Sequence, residues 1–107
     1  MAFERSPDHP RFHYSIHCKT DDPMVLACLR ALCHVSEEHS KPSSAWGGTG
    51  EADWRAADQT VTFRFTKPEY RDRFAREANR LLPNRWSEID RSDNNPAIRQ
   101  RVAVVQR

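Results

Sequence analysis

A chain of 107 residues with 37% hydrophobic and 30% charged residues is long enough for one hydrophobic core and too short for a second domain or a deep cofactor cleft. Its net charge of +2 argues neither for nor against an anionic partner, and its longest apolar run, Met24 to Leu29, is far too short to cross a bilayer. The expectation is a cytoplasmic protein with no membrane partner, in which residues 1–10 form a flexible N-terminal segment and residues 11–107 a single α+β domain.

From Arg11 to Lys19 the apolar residues Phe12, Tyr14, Ile16 and Cys18 alternate with His13, Ser15, His17 and Lys19, the period of a half-buried strand. Asp22 and Pro23 then provide an N-cap acceptor and a first helical residue whose missing N–H costs nothing. The helix that follows is expected to reach about Glu38. Val25, Leu26, Cys28, Leu29, Leu32, Cys33 and Val35 would lie on a sheet, and Arg30, His34, Glu37 and Glu38 would stay in water. Cys18, Cys28 and Cys33 lie in apolar segments without a CxxC spacing, which reads as buried thiols in a reducing compartment.

Residues 40–50 have neither period and hold every glycine of the chain, Gly47, Gly48 and Gly50, so they form a loop. Glu51 to Arg55 and Thr60 to Phe65 are expected to pair as a hairpin, the second arm being the central strand. Thr66-Lys67-Pro68-Glu69 matches a capping box, and Tyr70, Phe74, Ala78 and Leu81 recur at helical spacing until Pro83. Trp86 to Arg91 reads as a further strand, Asp93 to Pro96 as a turn, and Ala97 to Arg107 as either an edge strand or a short helix. The order is β-α-β-β-α-β. It predicts a ferredoxin-like two-layer sandwich with an antiparallel sheet of four to five strands and two helices on one face.

That fold supports many unrelated activities, so function has to be argued from residues. The strand histidines His13 and His17 are roughly 13 Å apart along one strand face, too far to share an ion, and no metal site or cofactor is expected. His17 with Cys33, or His13 with Ser15, can be dressed as base and nucleophile. No elbow turn or orienting carboxylate accompanies either pair, and no catalytic residue is assigned. The loop Trp46-Gly47-Gly48 lacks the lysine and following helix of a phosphate-binding loop. Trp46 either anchors that loop or offers an exposed aromatic to a partner.

Arginine outnumbers lysine fourteen to three, which a GC-rich coding genome would also produce. The segment from Arg64 to Arg85 holds seven basic and three acidic residues, with Arg73, Arg76 and Arg80 on the outer ridge of the second helix and Arg99 and Arg101 beyond it. The element order is also that of RNA-recognition domains, whose aromatics occupy places like those of Phe12, Tyr14, Phe63 and Phe65. Their Lys/Arg-Gly-aromatic-Gly/Ala-Phe run is absent here, and alternation puts these aromatics on the core face, so no membership is inferred.

Three readings therefore stand in order. The first is a small binding module of bacterial or phage type that acts on a protein partner as inhibitor, immunity factor or adaptor, through Trp46, Gly47, Gly48, His13, His17 and Arg64. The second is nucleic-acid or other anion binding through the open sheet face and Arg73, Arg76, Arg80, Arg99 and Arg101. The third is a cofactor-free enzyme. A homodimer through the sheet face or an edge strand is compatible with each.

Overall fold

The alternation that starts at Phe12 becomes strand β1, Tyr14–Lys19, with Ile16 and Cys18 buried on one side. The computed structural model describes residues 12–37 and 49–96. Residues 1–11, the loop residues Trp46, Gly47 and Gly48, and Arg99 and Arg101 of the final segment 97–107 lie outside them. Helix α1, Pro23–Ser36, begins as its cap predicts. Pro23 opens it, and the Asp22 carboxylate accepts the Met24 N–H at 2.8 Å.

The expected hairpin is not formed. Glu51 to Arg55 belongs to a short helix, α2, Glu51–Ala56. Its sequence explains the outcome: Glu51 and Asp53 favour the positive end of a helix, two alanines favour helix over strand, and Arg55 reaches back to Glu51 at 2.6 Å. Asp58 and Gln59, both at positive φ, then reverse the chain into β2, Thr60–Phe65. Helix α3, Pro68–Leu81, and strand β3, Ser87–Ser92, complete the order β-α-α-β-α-β.

The described residues make one antiparallel sheet of three strands rather than four to five, in the order β2-β1-β3. The central strand is β1, not Thr60 to Phe65, because both later strands pair with it. Strand pairing is non-local, so local periodicity carries no information about which strand is central. α1 and α3 pack side by side over one face of the sheet. Ile16, Cys18, Val61, Phe63 and Phe65 meet Val25, Leu26, Leu29 and Cys33 of α1 and Phe74, Ala75 and Ala78 of α3. Phe74 is the hub, with ring centroids 5.2 Å from Phe63 and 5.5 Å from Phe65.

Helix α3 is turned from the expected stripe. Arg71, Phe74, Ala75 and Ala78 are buried while Leu81 is 51% exposed, since the small Ala75 and Ala78 permit close approach and Leu82 packs on the core in place of Leu81. The capping box does not form either. Lys67 is the N-cap without a side-chain bond, because Thr66 has been captured by Glu37, whose carboxylate accepts the Thr66 N–H at 2.9 Å and its hydroxyl at 2.7 Å. Glu37, expected in water, is fully buried.

Strand β3 is an edge with no buried residue, and a bulge leaves Ile89 as the extra residue between the pairs His17–Asp90 and Cys18–Glu88. Register places Glu88 and Arg91 opposite Cys18 and Ile16, on the helix side, where Arg91 binds Glu88 at 2.6 Å and Asp72 of α3 at 2.8 Å. Charges and a bulge of this kind keep an edge strand from pairing with another chain.

All three thiols are free, and Cys28 is exposed rather than buried. Burial pushes the Cys18 and Cys33 thiols well above the ordinary range. A maleimide added to the native protein is therefore expected to modify Cys28 alone. Two further equivalents should react only after denaturation, and prompt native labelling of Cys18 or Cys33 would contradict the packing described here.

Candidate functional site

The face of the sheet opposite the helices consists of three polar cross-strand rows. Arg64, Ser15 and Ser92 form the first, Thr62, His17 and Asp90 the second, and Thr60, Lys19 and Ser87 the third. The turn after β3 folds back across the first row. The Asn95 N–H donates to the His13 carbonyl at 2.8 Å, and its amide donates to the Ser15 hydroxyl at 3.2 Å. Arg64 donates to the Asn95 backbone carbonyl at 2.7 Å and to its side-chain oxygen at 3.3 Å. The His13 ring Nδ1 donates to the Asp93 carbonyl at 2.8 Å.

Of the sequence candidates on this face, His13 and Arg64 are thus bonded within the fold, and only His17 lies on the open row with Thr62 and Asp90. The catalytic pairings gain nothing. β1 turns His17 to the open face while Cys33 lies in the core on the other side, and the Ser15 hydroxyl is engaged by Asn95. Among the described residues no group of three or more His, Cys, Asp or Glu could hold a metal ion.

The arginines are extensively matched to acids. Arg71, 6% exposed, donates to the Ser92 carbonyl at 3.0 Å and Asp93 at 2.6 Å and contacts Asp72 at 3.2 Å, which ties α3 to the end of β3. Arg85 pairs with Asp22 at 2.9 Å. On the α3 ridge, Arg80 binds Glu77 at 2.7 Å, which with Arg76 nearby holds the Glu77 carboxyl below the usual carboxylate range, and Arg73 lies 5.6 Å from the Tyr70 ring centroid. Exposed ion pairs of this kind contribute little to stability, but they lower the positive field offered to a polyanion.

The surface that sequence reasoning missed is the outer face of α1. Its exposed positions are Pro23, Met24, Ala27, Cys28, Ala31 and Val35, with Met24 72% and Val35 60% exposed. None is charged or capable of strong hydrogen bonding. The exposed positions of α3 are Glu69, Asp72, Arg76, Asn79, Arg80 and Leu81. The polar residues of α1 turn inward instead: Arg30 is half-buried and donates to the Thr49 hydroxyl at 3.3 Å, and His34 is half-buried as well. A signal was present, since Arg30 and His34 are too few polar residues to cover the side of the helix that carries Met24, Ala27, Cys28, Ala31 and Val35.

No family model, curated protein or solved structure matches the chain. Among the described residues no helix is long and apolar enough to cross a membrane.

Proposed function

We propose that this protein is a small binding module that acts on a protein partner, and that the contact face is the outer side of α1. The observation that carries this reading is the uncharged, apolar exposed surface of a helix in a chain that is otherwise rich in charge. Water-exposed apolar surface on a small domain costs free energy that a partner recovers. An inhibitor, immunity factor or adaptor of the cytosol is the biological form of this reading. Its frame is a ferredoxin-like unit in which α2 replaces the second strand.

Nucleic-acid binding through Arg73, Arg76 and Arg80 is the second reading, favoured by their common ridge on α3 and disfavoured by the Arg80–Glu77 pairing. One experiment separates the two. Tagged wild-type chain, Val35→Glu and the double variant Arg73→Glu, Arg76→Glu are used for capture from source-cell lysate, with and without nuclease. The expected result is a stoichiometric protein that survives nuclease, persists with the arginine variant and falls at least about tenfold with Val35→Glu, because a carboxylate would be buried unpaired in the contact. Bound material that disappears with nuclease and with the arginine substitutions would replace this reading with the second.

A further inference from the structure

We draw no further inference here: the strongest candidate, the outer edge of strand β2 along Thr60 and Thr62, carries nothing because nothing among the described residues shows what covers it.

Discussion

Trp54→Ala is expected to lower the unfolding free energy by about 3–5 kcal/mol, a large share of the roughly 5–15 kcal/mol that holds an ordinary domain together. The indole is fully buried although α2 is only six residues long, and its Nε1–H donates to the Thr20 carbonyl at 2.9 Å. Thr20 is itself a junction. Its N–H donates to the Gln59 carbonyl at 3.2 Å, and its hydroxyl donates to the Arg85 carbonyl at 3.0 Å while accepting the Asp22 N–H at 3.3 Å. The Trp54 indole therefore ties α2 to Thr20, and Thr20 in turn joins the end of β1 to the start of α1 and the turn before β3. Trp54→Phe keeps most of the apolar volume and loses the hydrogen bond, so it should cost less, about 1–3 kcal/mol. Urea unfolding of the three proteins measures both. A Trp54→Ala variant within about 1 kcal/mol of wild type would show that α2 does not close the core.

Glu37→Ala is expected to cost about 3 kcal/mol by the same measurement, with Glu37→Gln intermediate. The carboxylate is fully buried, and both of its oxygens accept hydrogen bonds from Thr66, one from the backbone and one from the hydroxyl. Alanine leaves both donors of the half-buried Thr66 without the carboxylate that answers them. Glutamine restores one acceptor but presents an amide N–H₂ to the other donor. Pairing Glu37→Ala with Thr66→Val should then cost less than the sum of the two single changes, since the valine removes the stranded hydroxyl. Strict additivity would mean that the contact between the end of α1 and the start of α3 contributes nothing.

The parts of this fold that were legible in the sequence are those written in local chemistry. The alternation around Ile16 and around Phe63, the Asp22-Pro23 start of α1 and the recurrence of Phe74 and Ala78 each need only neighbouring residues to be read. α2 was misread because a six-residue segment with one aromatic satisfies either period, and Trp54 counted as a strand residue when it is a core anchor on a helix. Glu37 was misread because its partner is 29 residues away, and nothing at positions 33–38 announces Thr66. The candidate site was least legible of all. Polar residues of α1 were assigned to water by default, whereas Arg30 and Glu37 are drawn inward by Thr49 and Thr66, so that Met24, Ala27, Cys28, Ala31 and Val35 are what water meets.

The most direct test of α1 as the contact face is an amide spectrum of the ¹⁵N-labelled full chain. It would be recorded at a concentration where the chain alone is monomeric, in buffer and then in nuclease-treated extract of its source cells. The expected result is shift or broadening concentrated at Met24, Ala27, Cys28, Ala31 and Val35, with Thr62, Arg64 and Asp90 unchanged. Perturbation of His17, Thr62, Arg64 and Asp90 with α1 unaltered would contradict the account and move the site to the open face of the sheet.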